Sequence, residues 1–199
     1  AGRRALAALA AGALTQRPGA SYEMACRDCS VSSSGPVAAP QSIELTEKGP
    51  DVAVKKSLIS GTGVAYASAT IEQDAAYWEV IVESAGPFRI GVARALKGGA
   101  LAGSIGDEEK SWALASASCE CSDGDVIGIA FGQAELPNLR FYRNGDELPK
   151  AEVQRVRGAV HPAVSVAGAT KLRCVFDEGQ FKHEPPRGHS ALRASQSLI

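Results

Sequence analysis

The chain has 199 residues, 45% of them apolar, and a formal net charge of −1. That length suits one ordinary domain with tails, and that apolar share is enough to fill a core. A near-neutral chain with no long basic run has no source for the phosphate attraction that dominates nucleic-acid binding, so no nucleic-acid partner is expected.

In chain order, residues 1–22 hold Arg3, Arg4 and Arg17 with no acidic residue before Glu23, in a stretch rich in alanine. Basic, acid-poor and helix-prone composition describes an organelle-targeting segment or its remnant, and describes an ordinary surface helix equally well. The apolar run "ALAALAAGAL", Ala5 to Leu14, is too short for the roughly 20 residues of a membrane-crossing helix, and no transmembrane span is expected. From Val31 to Pro40, "VSSSGPVAAP" reads as a linker. The expected organisation is an N-terminal extension over 1–42 (a helical segment plus linker), a β domain over 43–186 and a C-terminal tail over 187–199.

Within the domain the apolar period is two. In "YWEVIVE", Trp78, Val80 and Val82 share one face while Glu79 and Glu83 fall on the other, as a half-buried strand requires. "FRIGVAR" repeats this with Phe88, Ile90 and Val92 inward and Arg89 and Arg94 away, and "KLRCVFD" with Leu172, Cys174 and Phe176. "DVIGIAFG", from Asp125, is apolar on both faces, which places it centrally under two covers. The Asn144-Gly145 pair in "YRNGDELP" predicts a type I′ turn and so a hairpin. Many short strands between glycine-rich turns, without βα alternation, point to an antiparallel sandwich or barrel.

Catalytic constellations find little support. His161, His183 and His189 are the three histidines, and the sequence puts no nucleophile, base and orienting group together. Ser111 lacks a "GxSxG" elbow, and "LKGGALAG" from Leu96 lacks the ending of a phosphate loop. Cys26 and Cys29 in "CRDC" with Cys119 and Cys121 in "CEC" form the one alternative, a tetrahedral zinc or redox site, although the second pair is closer than the usual ligand gap. No cofactor and no metal are expected.

The ordered set "YWEVIVES", "FRIGVA", "GDEEKSWAL", "GDVIGIAFGQ", "LRFYRNGDEL", "HPAVSVAG" and "KLRCVFDEGQFKHEPP" resembles a SPRY domain over about residues 43–186. The resemblance implies an all-β, concanavalin-like fold: a bent antiparallel two-sheet β-sandwich, here with a short N-terminal helical extension. It also implies protein recognition by loops at one end. "FRIGVA" and "SWAL" look like a small single-SPRY member associated with mitochondria, so the expected location is mitochondrial, otherwise cytoplasmic. In SPRY proteins that carry a SOCS box, a tryptophan before a loop glycine helps form a peptide pocket; the matching place here is Ala167, before Gly168. In the other pocket loop, Ala95–Lys110, Leu101 stands near the family's tyrosine.

The expected protein-binding residues are therefore Lys97, Leu101 and Asp107 in that loop, Arg140, Tyr142 and Arg143 on the hairpin, and Ala167 with Gly168. The reading is a non-catalytic interaction module, a subunit of a larger assembly. A free adaptor for short peptides and a zinc or redox protein are the alternatives.

Overall fold

The computed structural model describes residues 42–106, 109–133 and 136–194. The expected N-terminal helix, Cys26, Cys29 and Asp107 lie outside the described residues. The packed unit that contains all of the described residues is Ala38–Ile199.

β-Branched and aromatic residues at alternate positions favour strands, and the chain forms fourteen among the described residues. They are β1 (Leu45–Lys48), β2 (Val52–Lys55), β3 (Leu58–Gly61), β4 (Gly63–Ala67), β5 (Ala75–Ser84), β6 (Phe88–Ala93) and β7 (Ser111–Ala115). After these come β8 (Val126–Gly132), β9 (Asn138–Arg143), β10 (Asp146–Glu147), β11 (Val153–Gln154), β12 (His161–Val166), β13 (Lys171–Val175) and β14 (Ser190–Ala191).

Two sheets result. The first has the order β1-β4-β12-β6-β7; the second has β10-β9-β8-β5-β13-β3-β2, with β11 added on β9 and β14 on β5. All ladders are antiparallel except β14 on β5. The core lies between the sheets: Trp78, Val80, Val82, Ile127, Ile129, Phe141 and Leu172 come from the second, Ile90, Val92, Leu114, Val164 and Val166 from the first. Trp78 is 1% exposed and sits opposite Ile129. The two-residue period therefore placed the inward faces of β5, β6 and β13 correctly.

As its apolar run requires, β8 is covered on both sides. Ile127, Ile129 and Phe131 enter the core, while Ala130 joins Tyr77 and Tyr142 beneath Phe181 on the outer face. The Tyr77 and Phe181 rings meet edge to face, with centroids 5.2 Å apart, an arrangement aromatic quadrupoles favour. A side chain at Gly128 would run into the Tyr77 ring and hydroxyl, so a glycine is needed for Tyr77 to lie across β8.

The β9–β10 hairpin turns through Asn144 at φ 51 and Gly145 at φ 91, the double positive φ of a type I′ turn. Asn144 also ties its side chain inward: Oδ1 accepts from Val126 N at 2.9 Å and Nδ2 donates to Asp125 at 2.8 Å.

Two expectations are corrected. Glu79, assigned to a solvent face, is completely buried. Its carboxylate accepts from the backbone N–H groups of Lys182 at 2.7 Å and His183 at 2.9 Å, and from the Tyr77 hydroxyl at 3.2 Å. The returning chain covers that face and satisfies the charge, which is how a buried carboxylate becomes tolerable. Likewise the packed chain does not end at 186. Ser190–Ala191 pairs in parallel with Ala76 and Tyr77, Gln73 holds Ala191 O and Arg193 N, and Leu192 joins the core.

Candidate docking end of the sandwich

Strand directions gather five connections at one end. β12 finishes at Val166, paired with Phe88 at the start of β6 and Gly63 at the start of β4, while β7 finishes opposite Arg89. The turns at 61–63, 85–87, 116–125, 144–145 and 167–170 therefore share this end. Side chains lock several of them together. Asp123 accepts from Ala85 N at 2.6 Å, Ser116 Oγ from Phe88 N at 3.2 Å, and Pro87 O accepts from Ala167 N at 3.0 Å and from the Thr170 hydroxyl at 3.2 Å.

Asp125 is the hub beneath the hairpin. It accepts from Ser122 N at 2.8 Å, from Asn144 Nδ2 at 2.8 Å, and from Arg143 at 3.0 and 2.9 Å. The Ser122 amide first, then Asn144 and the Arg143 charge, hold its carboxyl below the usual range. Arg143 spends its remaining reach on Cys119 O at 3.2 Å.

The long glycine-rich connection between β6 and β7 is anchored rather than loose. Leu96 and Ile105 are buried with Val64, Tyr66, Ala93 and Ala163 on the outer face of the first sheet. Tyr66 donates to Leu96 O at 3.2 Å, Arg89 to Ile105 O at 3.0 Å, and Ser104 meets Ser165 at 3.0 Å. Its 3-10 turn, Gly98–Ala102, brings Leu101 O so close to Gly63 that a Cβ there would stand only 2.7 Å away. The loop tip thus reaches the same end as the Gly168 turn.

The expected binding residues fall in three places. Lys97 is exposed and Leu101 half-buried on the anchored loop; Ala167 is half-buried and Gly168 exposed, at φ 64, on the neighbouring turn. Tyr142 is buried under Phe181 and Arg143 is committed to Asp125. Arg140 points from the outer face of the second sheet, 4.0 Å from Glu147, into a separate cleft of about 610 Å³ with Asp74, Leu136, Arg187 and His189. Both His189 ring nitrogens are shut from solvent, and burial, with the Arg140 charge behind it, lowers the pKa of the ring against the opposing pull of the Arg187 and Pro186 backbone. Sequence reasoning missed this cleft because its residues come from four separate stretches, around 74–75, 132–140, 154 and 187–189.

The histidines also separate. His161 meets Ala67 O at 3.0 Å and tilts against Tyr66, while His183 lies against Gly145 of the hairpin turn. Cys119 and Cys121 stand together on the 116–125 connection, their sulfurs 2.9 Å apart. Among the described residues no three His, Cys, Asp or Glu side chains converge as metal ligands, and no helix is long and apolar enough to cross a membrane.

Compared with curated proteins, the chain is 30% identical over 177 residues to SPRY domain-containing protein 7 of Homo sapiens, covering 79% of this chain and 85% of that one. The Gallus gallus form is 29% identical over the same coverage. Among solved structures, the PSpry domain of TRIM65 superposes with a TM-score of 0.54 at 13% identity, over 70% of this chain and 90% of that one. The NEUZ (NHR) domain of Neuralized from Drosophila melanogaster gives 0.53 at 12% identity, over 71% and 95%. No family model matches the chain.

Proposed function

The chain belongs to the SPRY-domain family, and from that premise we propose that it is a non-catalytic docking subunit of a larger, mitochondrial assembly. The observation that carries the reading is the openness of the loop end. A Cβ added at Gly98, Gly99 or Gly168 would meet nothing within 4 Å, so backbone lies bare where a peptide pocket would need walls. Small-molecule and peptide sites are concave and anchor on bulky side chains. An open backbone surface of this kind suits a broad contact with another folded protein, whose standard size is about 800 Å² per partner. Because Leu96 and Ile105 already fix the long loop, such a partner meets a preformed surface and the ordering cost is small. Ala167 in place of an aromatic supports the same reading.

Native size fractionation of mitochondria, with the full chain tagged, tests it. The intact chain should migrate with a species far above its own 20.6 kDa. Lys97→Asp with Gly168→Asn should release it at its own size without changing its melting temperature, since Asn tolerates the left-handed backbone. Leu101 is avoided because its carbonyl is seated against Gly63. A wild-type chain that migrates alone, or that sediments outside mitochondria, overturns the assembly or the compartment respectively. Capture of short peptides by the loop end would favour the adaptor instead.

A further inference from the structure

Among the described cysteines, Cys119 and Cys121 differ from Cys174. Cys174 is a buried thiol on β13 whose pKa burial pushes up to about 12. Cys119 is buried to 4% exposure, Cys121 is half-buried beside it, and the sulfurs are 2.9 Å apart. In an extended strand, residues i and i+2 share a face with their Cα atoms ~6.6 Å apart, near the upper limit for a disulfide. Here the middle residue, Glu120, takes φ 47. The left-handed region disfavours a non-glycine residue, and this one folds the chain so that the two thiols touch. Arg143, fixed by Asp125, reaches across to Cys119 O. The Cys121 hydrogen bond, and then the Arg143 charge, hold the Cys119 thiol below its usual value, while Cys121 moves up as its partner.

We propose that Cys119 and Cys121 are a redox-active dithiol that closes to an intraloop disulfide by exchange with a low-molecular-weight disulfide such as oxidised glutathione. Cys121 is the sulfur a small molecule can reach. Cys119 first releases its proton to solvent; within the sulfur–sulfur hydrogen bond the Cys121 proton then passes to the Cys119 thiolate, and the more accessible, more basic Cys121 thiolate so formed attacks one glutathione sulfur. The glutathione disulfide bond breaks, one glutathione leaves as thiolate, and a mixed disulfide forms on Cys121. Cys119 gives its proton to the departing thiolate and attacks Cys121 Sγ, expelling the second glutathione, which takes up a proton from solvent. The dithiol loses two electrons and two protons; one oxidised glutathione becomes two reduced molecules. Both cysteines lie on the connection that holds Phe88 N through Ser116 and Ala85 N through Asp123, so closure acts directly on the supports of the docking end. The proposal stands whether or not that end binds the assembly.

The test uses the full chain carrying Cys26→Ser and Cys29→Ser, equilibrated with glutathione mixtures of graded oxidation, acid-quenched, alkylated and read by peptide mass. As the mixture becomes oxidising, the Cys119–Cys121 peptide should lose both alkylation sites together, become lighter by two hydrogens, and recover with dithiothreitol. Cys174 should stay reduced throughout. Cys119→Ser, which cannot resolve the mixed disulfide, should accumulate one glutathione on Cys121. The proposal is overturned if both thiols remain alkylatable in the most oxidising mixture, or if intact chain holds glutathione on Cys121 with Cys119 free. A Cys119→Ser chain that stays unmodified overturns it as well.

Discussion

Glu79→Gln isolates the contact that closes the outer face of the second sheet. The Glu79 carboxylate takes the Lys182 and His183 amides at 2.7 and 2.9 Å and the Tyr77 hydroxyl at 3.2 Å, in a site with no solvent exposure. Hydrogen bonds to charged groups are worth about 1.5–3 kcal/mol each, so the two amides bound the contribution at about 3–6 kcal/mol. The covering segment can lift and hydrate its amides, which moves the cost of removing the side chain towards the lower end. Glutamine keeps the volume but offers one oxygen, and turns an NH2 group towards the second donor. One charge-assisted bond is therefore lost, about 1.5–3 kcal/mol. With a urea slope of about 2 kcal/mol per molar, the unfolding midpoint, followed through buried Trp78, should fall by roughly 1 M. Hydrogen exchange should show Lys182 and His183 opening below the global transition, with Ser190–Ala191 following because it is held by the same returning chain. A glutamine variant within about 0.5 kcal/mol of the parent, with both amides still protected, would refute the assignment of Glu79 as the anchor.

Trp78→Ala removes a side chain that is 1% exposed at the centre of the sandwich, and should cost about 3–5 kcal/mol; an unchanged melting temperature would show that the core does not rest on β5. Asp125→Asn tests the hub beneath the hairpin through pH. The folded Asp125 pKa lies below its unfolded value, so its contribution is complete above about pH 4 and is lost as pH falls through the folded value. The stability gap between parent and variant should accordingly narrow as urea unfolding is repeated from about pH 6 towards pH 2, and a gap independent of pH would dismiss the carboxylate as its source.

Local periodicity reveals which residues share a face, and that much of the fold was readable. Trp78, Val80 and Val82 turned inward together, and Asn144-Gly145 made the predicted turn, because both depend on neighbours in sequence. What covers an outer face depends on chain that is distant in sequence. Glu79 looked like an ordinary solvent residue since its partners, Lys182 and His183, stand over a hundred positions away. The segment from Arg187 onwards reads as a tail for the same reason, although Leu192 returns to the core. In the β6–β7 connection, glycines announced freedom, while Leu96 and Ile105, separated by no regular period, supplied the anchoring. Of the expected binding residues on turns, Lys97 and Gly168 are exposed while Leu101 and Ala167 are half-buried, and the hairpin aromatic and arginine are claimed by Phe181 and Asp125.

These long-range covers also bear on where a partner can approach. The long loop occupies the outer face of the first sheet through Leu96 and Ile105, and Phe181 with the returning tail occupies part of the second. A partner binding either patch would first displace packed chain and expose Ala93 and Tyr66 on one side or Tyr77 on the other. Each fully buried large apolar side chain uncovered costs about 1.5–3 kcal/mol before any new contact is made. Leu136, 62% exposed beside the Arg140 cleft, is a single apolar residue, and isolated exposed residues of that kind are ordinary. At the loop end nothing needs displacing: Gly98, Gly99 and Gly168 already stand open, over turns that Pro87, Thr170 and Asp123 hold in place. Contact energy gained there is not spent on opening the sandwich. Gly98, Gly99 and Gly168 add no side chains to grip with, so affinity at this end has to come from the area of a broad surface.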